Sequence, residues 1–167
     1  VFVNKGSSNV SVTNNGTNML YVRLVTKGQP LAGDSNIQVR NNTGLLQMNV
    51  SYINKNGTPL DVSNIAQGTD FLAKVTITNP GGRGRYTQMA LTQVFPSGWE
   101  ILNARMLGGE EGAYKSSPSE YQDVRDDRVY TYFDIAEKQT HTYYVQLNAT
   151  YPGRFFMPGT YAEAMYD

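Results

Sequence analysis

The stretch that decides the fold is Thr140-His141-Thr142-Tyr143-Tyr144-Val145-Gln146-Leu147-Asn148-Ala149-Thr150. From Tyr143 to Ala149 every second side chain is apolar, and His141 continues the same row, whereas the positions between are mostly polar. Successive side chains of a β-strand point to opposite faces of the sheet. The alternation therefore predicts a half-buried strand with one row of side chains facing a hydrophobic core.

The same period recurs in other windows of the chain. Between Phe71 and Thr78 the odd-numbered side chains are apolar, and Leu72 falls on the other face with Lys74 and the threonines. Strands of this length between polar turns are typical of an all-β, antiparallel β-sandwich, and helical periodicity never exceeds a turn or two. The remaining inward rows are Val129, Thr131, Phe133 and Ile135; Met89, Leu91 and Phe95; Met48, Val50 and Tyr52; and Leu20, Val22 and Leu24 within a strand predicted over Met19–Thr26.

Turn residues separate these strands. Asn14-Asn15-Gly16 predicts a tight hairpin with positive φ between two early strands. Later strands end at sequences rich in Asn, Pro and Gly, which favour turns and interrupt strand ladders. These sequences are Asn56-Gly57-Thr58-Pro59, Asn79-Pro80-Gly81-Gly82, Pro96-Ser97-Gly98 and Tyr151-Pro152-Gly153.

Two regions lack a strand pattern. Gln29–Thr43 reads as a linker, and Gly108–Gln122 reads as a long exposed loop. We therefore predict one β-sandwich domain over residues 33–167. Residues 1–32 hold too few strands for a core of their own, and they are either the end of a preceding domain or extra strands of the main sheet.

Composition excludes several classes of function. Fourteen basic and fourteen acidic side chains cancel, which argues against a nucleic-acid partner, because phosphate binding needs a net positive surface. The absence of cysteine excludes disulfides, thiol nucleophiles and a thioester within this chain. No phosphate-binding or dinucleotide-binding glycine motif occurs. No cofactor and no small-molecule substrate is predicted.

Candidate catalytic residues are few. His141 is the one histidine, and we interpret it as a packed or surface residue rather than a catalytic base. The acidic residues Asp123, Asp126, Asp127 and Asp134 could ligate calcium, but Arg125 and Arg128 are interleaved with them. We expect structural ion pairs there, with Asp126 or Asp127 in a turn and Arg128 bridging strands. Arg83 and Arg85 are expected to be solvated loop charges. The chain is predicted not to be an enzyme.

Ordered segments in the second half resemble the C-terminal macroglobulin-like domain of the bacterial alpha-2-macroglobulin family. The resemblance implies a macroglobulin-like, immunoglobulin-like sandwich, and it makes residues 1–32 the end of the connecting domain. The segment Glu163-Ala164-Met165-Tyr166-Asp167 is the most specific. The full set is Gln67–Phe71, Val75–Pro80, Phe95–Glu100, Asp123–Phe133, Pro152–Pro158 and Tyr161–Asp167.

The resemblance also implies a function. In that family the parent protein is cut by a protease, changes shape and links to the protease through an internal Cys–Gln thioester, which would lie outside this chain. The final domain is expected to pack on the thioester domain and shield that bond, and by motif position Met165 and Tyr166 would do so. The implied partners are sister domains of the same polypeptide and, through the parent, trapped proteases. The implied location is periplasmic or cell-surface, with membrane anchoring through the parent left open.

Three alternatives remain open from the sequence. Met165 and Tyr166 could instead finish a core strand, where they would face opposite sides and one would be exposed. Twelve tyrosines also suit a cell-surface adhesion or carbohydrate-binding sandwich, because tyrosine is favoured at binding faces. An accessory β-domain of a secreted enzyme is the third alternative.

Overall fold

The computed structural model describes residues 11–25, 46–102 and 114–166. The predicted linker Gln29–Thr43 lies outside these ranges. The chain divides into two compact units, Val1–Asp34 and Ser35–Asp167. Whether the first unit is the end of a preceding domain or a set of extra strands stays a prediction.

The second unit contains two antiparallel sheets of four strands each, in the orders β1-β2-β7-β4 and β5-β6-β3-β8. The predicted all-β class is confirmed, and the described residues include no helix that is long and apolar enough to cross a membrane. The strands are β1 (Gln47–Asn54), β2 (Asp70–Thr78), β3 (Tyr86–Val94), β4 (Glu100–Leu102), β5 (Tyr121–Val124), β6 (Arg128–Ile135), β7 (Thr140–Asn148) and β8 (Thr160–Ala164).

The predicted inward rows face each other between the sheets. Val75, Ile77, Leu91, Phe133 and Tyr143 are nearly inaccessible to solvent and form one core cluster. Burial of such side chains contributes about 1.5–3 kcal/mol each. The row in β7 that first indicated the sandwich is therefore central to it, since β7 pairs with β2 along its whole length.

A second core cluster lies at the end of the sandwich where β2 begins. The Trp99 ring meets Phe71 edge-on with ring centroids 4.9 Å apart, and Tyr52 meets Trp99 edge-on at 5.5 Å. This edge-to-face geometry is favourable for aromatic rings beyond their burial.

The predicted exposed loop over 108–122 is partly wrong. Tyr121 begins β5, which pairs with β6, and Ser116 and Ser117 lie against the edge of β7. The amides of Tyr144 and Thr142 donate to the hydroxyls of Ser116 and Ser117, each at 2.9 Å. Because β4 pairs only with residues 146–148 of β7, these two serines satisfy amides that the short edge strand leaves unpaired.

Two further predictions need correction. Leu72 lies on the predicted face of β2, opposite the core row, but it is buried rather than exposed. It lines a pocket on that face together with Tyr114 and Tyr144. Of the strand predicted over Met19–Thr26, the structure describes Met19–Val25, which has no strand partner among the described residues and has exposed side chains. Gly16 lacks the positive φ of the predicted hairpin. A strand is stabilised by burial of one face, so an alternating run whose apolar row is exposed gains little from strand formation.

Candidate functional site

Met165 and Tyr166 lie just beyond the end of β8, in a turn. Their exposed fractions are 45% and 82%. The alternative that they finish a core strand, with only one exposed, is therefore wrong, because the strand ends at Ala164. An apolar thioether side chain and an aromatic ring stand next to each other in solvent.

The backbone of this turn is nevertheless fixed to the sheet. The Met165 amide donates to the Gln88 carbonyl at 3.1 Å, one residue past the last β3–β8 pair, Met89 with Ala164. Ala162 is buried in β8. The side chains of Met165 and Tyr166 thus project from an anchored backbone.

The carbonyl that anchors Met165 belongs to a β-bulge. Tyr86 lies opposite Ile135 and Met89 opposite Phe133, so β3 carries one more residue than β6 across this interval. Gln88 has a φ of 52°, in the left-handed region that residues with a Cβ rarely adopt. A bulge of this kind redirects the strand and its side chains.

Asp134 holds the bulge from the neighbouring strand. One carboxylate oxygen accepts the Gln88 amide proton at 2.8 Å, and the other accepts a hydrogen bond from the Arg85 guanidinium at 2.7 Å. The bond from Gln88, followed by that from Arg85, lowers the pKa of the Asp134 carboxyl below its ordinary value. Arg85 is thus an ion-pair partner rather than the solvated loop charge we predicted.

Two of the other acidic residues, Asp123 and Asp127, form local ion pairs, as predicted. Asp123 pairs with Arg125 at 2.8 Å and Asp127 with Arg128 at 2.7 Å. Arg128 does not bridge strands through a carboxylate, because its acidic partner is its own sequence neighbour. Within the part of the chain that the structure describes, no three His, Cys, Asp or Glu side chains come close enough to hold a metal ion.

His141 is half-buried near the start of β7 and packs against neighbouring side chains, which is one of the two outcomes predicted for it. Its Nδ1 is 3.1 Å from the Tyr143 hydroxyl, which donates to the Pro118 carbonyl at 3.3 Å. The imidazole also packs near the Phe133 ring, with centroids 5.6 Å apart. Burial lowers the pKa of His141 below its ordinary 6.5 and raises the pKa of Tyr143.

This environment makes stability depend on pH near neutrality. In the unfolded chain His141 binds a proton more readily than in the folded protein, so stability is greatest above about pH 6.5 and falls as the pH drops toward the folded pKa. We expect the urea midpoint to decrease between pH 7.5 and 5.5, and to decrease less in His141→Gln. An NMR titration that places the pKa of this single histidine at or above 6.5 would contradict the prediction.

The tyrosines do not form one binding face. Tyr143 is buried in the core, whereas Tyr144 faces Tyr114 on the other side of the sheet at 5.3 Å. Tyr121 and Tyr132 stack across β5 and β6 with ring centroids 6.0 Å apart. The residues thus serve several structural surfaces, as expected of rings that pack well across strands.

These features define a class: an all-β sandwich that carries, just beyond β8, an anchored turn with two adjacent exposed side chains, one a thioether and one an aromatic ring. Residues 46–167 match the family model of the bacterial alpha-2-macroglobulin MG10 domain. Because the match covers most of the chain, the chain belongs to that family. The family-level resemblance drawn from the sequence is confirmed, whereas the position of the domain within its parent stays a prediction.

Relatives and solved structures agree with this assignment. Alpha-2-macroglobulin of Pasteurella multocida is 30% identical over 122 residues, which are 73% of this chain and 6% of that protein. A region of Salmonella alpha-2-macroglobulin reacted with methylamine has the same fold, with a TM-score of 0.64 and 20% identity over 76% of this chain and 8% of the other. Trypsin-activated alpha-2-macroglobulin from Escherichia coli gives a TM-score of 0.62 and 18% identity over 75% of this chain and 9% of the other.

The chain therefore spans less than a tenth of the length of each of these proteins. Sequence reasoning proposed Met165 and Tyr166 from the family motif, and that role stays a prediction. It did not identify Gln88, and it grouped Asp134 with other acidic residues instead of with Arg85 and Gln88. A glutamine inside an alternating strand gives no signal for a bulge. The one hint in the sequence was that apolar residues alternate at Met89 and Leu91 but not across residues 86–88.

Proposed function

We propose that this chain is the C-terminal, non-catalytic domain of a bacterial alpha-2-macroglobulin-like protease inhibitor. In the resting parent it packs on the thioester domain, and Met165 and Tyr166 cover the thioester. The observation that carries the proposal is the pair of exposed apolar side chains on a backbone that is hydrogen-bonded to the sheet.

The chemistry of a thioester explains why such a pair is useful. The acyl bond survives only while water and amines are kept from its carbonyl, and closure by apolar groups excludes water. Methionine adapts its flexible side chain to an irregular pocket. Tyrosine adds a flat apolar ring with one polar tip. Holding the backbone in place beforehand reduces the entropy lost when the pair docks.

Two of the relatives support the larger context. The Salmonella protein has been crystallised after reaction with methylamine, a small amine of the kind that would attack an uncovered thioester. The Escherichia coli protein has been crystallised after activation by trypsin, as expected for a protein that responds to proteolysis. By analogy with these relatives, we expect the parent protein to be exported to the periplasm or cell surface. The partners of this domain would be its sister domains in the parent and, through the parent, trapped proteases.

The alternatives from the sequence have less in their favour. None of the comparisons supports an adhesion module, a carbohydrate-binding module or an accessory domain of an enzyme.

A cross-linking experiment tests the proposed contact. Tyr166 is replaced by p-benzoylphenylalanine in the full-length parent protein, and the resting protein is irradiated. We expect an intramolecular cross-link to the peptide that carries the thioester Cys and Gln, and we expect that cross-link to disappear after methylamine treatment.

Tyr121 provides the matched control for this experiment. It is also exposed, at 62%, but it lies on β5, at the opposite edge of the same sheet from β8. The same photoreactive residue at position 121 should cross-link elsewhere or not at all. A Tyr166 cross-link that avoids the thioester peptide, or that is unchanged by methylamine, would contradict the proposal.

A further inference from the structure

We propose that Asp134 is a positioning residue that sets the direction of the Met165–Tyr166 turn through the bulge at Gln88. The functional importance of this positioning rests on the proposed shielding function, whereas the structural effect of Asp134 on the turn is independent of it. The Asp134 carboxylate contacts neither Met165 nor Tyr166 in any hydrogen bond or ion pair that the structure shows. It acts through the backbone of Gln88, which accepts the Met165 amide proton on one side and donates to Asp134 on the other.

The bulge needs such support because its backbone is unfavourable for glutamine. A side chain with a Cβ is disfavoured at a φ of 52°, whereas glycine adopts positive φ freely. A charged acceptor 2.8 Å from the Gln88 amide compensates for this, because hydrogen bonds to carboxylates are stronger than neutral ones. Arg85 fixes the second oxygen of the same carboxylate and so orients it.

Loss of this support would move the turn. If β3 relaxed to a regular strand at residues 86–89, the extra residue would have to be absorbed by a change of register. A register change by one residue turns every affected side chain to the opposite face. The Gln88 carbonyl would then no longer point along the sheet toward β8, and the Met165 amide would lose its acceptor.

Amide hydrogen exchange of the 167-residue chain measures this directly. In Asp134→Ala we expect the Met165 amide to exchange faster by on the order of tenfold, while amides of β3 beyond Met89 keep their wild-type rates. In Asp134→Asn, whose side-chain oxygen still accepts from Gln88, we expect a smaller change. Asp123→Ala is the matched control, because it also breaks an Asp–Arg pair but holds no strand amide, and it should leave Met165 unchanged.

A rescue variant separates positioning from general loss of stability. Gln88→Gly removes the Cβ that disfavours the bulge, so adding it to Asp134→Ala should restore slow exchange of the Met165 amide. Gln88→Val, with a branched Cβ that disfavours positive φ still more, should reproduce the Asp134→Ala effect alone. Wild-type exchange at Met165 in Asp134→Ala, or no rescue by Gln88→Gly, would overturn the proposal.

The same variants in the full-length parent distinguish this inference from the proposed function. If Asp134→Ala accelerates Met165 exchange while removal of Met165 and Tyr166 leaves methylamine reactivity unchanged, the shielding function fails and the positioning stands. If removal of the pair accelerates the reaction but Asp134→Ala does not, the shielding function stands and the role of Asp134 in it fails. Acceleration by both, with rescue by Gln88→Gly, supports both.

Discussion

Phe133→Ala is expected to lower the free energy of unfolding of the second unit by about 3–5 kcal/mol. The Phe133 side chain is only 1% exposed and belongs to the inter-sheet core cluster. Its ring lies 5.1 Å from that of Tyr143, centroid to centroid. Truncation removes this packing and leaves a cavity that the two sheets cannot fill, since strands fixed by ladders on both sides relax little.

Urea unfolding followed by fluorescence of the single tryptophan, Trp99, measures this loss. Trp99 lies in the other core cluster, so a shifted midpoint reports the whole sandwich rather than the altered site. Tyr132→Ala is the matched control, because Tyr132 neighbours Phe133 in sequence but faces outward and stacks on Tyr121. It should cost about 1 kcal/mol. Equal losses for the two variants would show that the assignment of faces is wrong.

The main strands could be predicted because their residues carry their own pattern. Tyr143, Val145 and Leu147 in β7, and Phe71, Ala73 and Val75 in β2, alternate regularly and are buried as the pattern requires. When one face of a strand is buried, every second residue must be apolar, so the sequence itself shows a period of two. The order of the strands depends on pairing between distant segments and produces no local sequence pattern, so it could not be predicted.

The short strands could not be predicted for the same reason. Glu100–Leu102 in β4 is too brief to show a period. Tyr121–Val124 in β5 buries no residue completely. It forms a strand because its backbone hydrogen-bonds to β6. Met19–Val25 is the converse case, since it has the alternation but no strand partner among residues 11–25, 46–102 and 114–166. Strand formation here follows tertiary pairing more than local preference.

The candidate site was accessible to sequence analysis only in part. Met165 and Tyr166 were identified through family resemblance, because a methionine next to a tyrosine has no diagnostic period or spacing. Asp134 was grouped with Asp126 and Asp127 by proximity in sequence. Its partners, Arg85 and Gln88, are 49 and 46 residues away, and only the pairing of β3 with β6 brings them together.

Removing the exposed pair should have the largest functional effect. In the full-length parent, Met165→Gly combined with Tyr166→Gly is expected to accelerate thioester loss in methylamine by about 10- to 100-fold. The estimate follows because burying a methionine side chain is worth about 1.5–3 kcal/mol and each 1.4 kcal/mol changes an equilibrium constant by about tenfold. Without the pair, the uncovered state becomes correspondingly more populated.

Two comparisons make this expectation specific. Phe156→Gly removes an aromatic side chain of 57% exposure from the loop that precedes β8, and it should leave the reaction with methylamine unchanged. Each single substitution, Met165→Gly or Tyr166→Gly, should give an intermediate rate, because each side chain covers only part of the bond. If the double variant and Phe156→Gly lost the thioester at equal rates in methylamine, the turn would have no special role in shielding.

The most direct measurement is the rate of free-thiol release from the resting full-length protein in methylamine, compared between the wild type and a protein that ends after Ala164. This truncation keeps β8 and the buried Ala162 and removes the anchored turn. If the domain shields an acyl bond, the shortened protein should release one thiol per molecule far faster than the wild type. If both proteins release it at the same slow rate, or if neither contains a thiol to release, shielding is not the function of this domain.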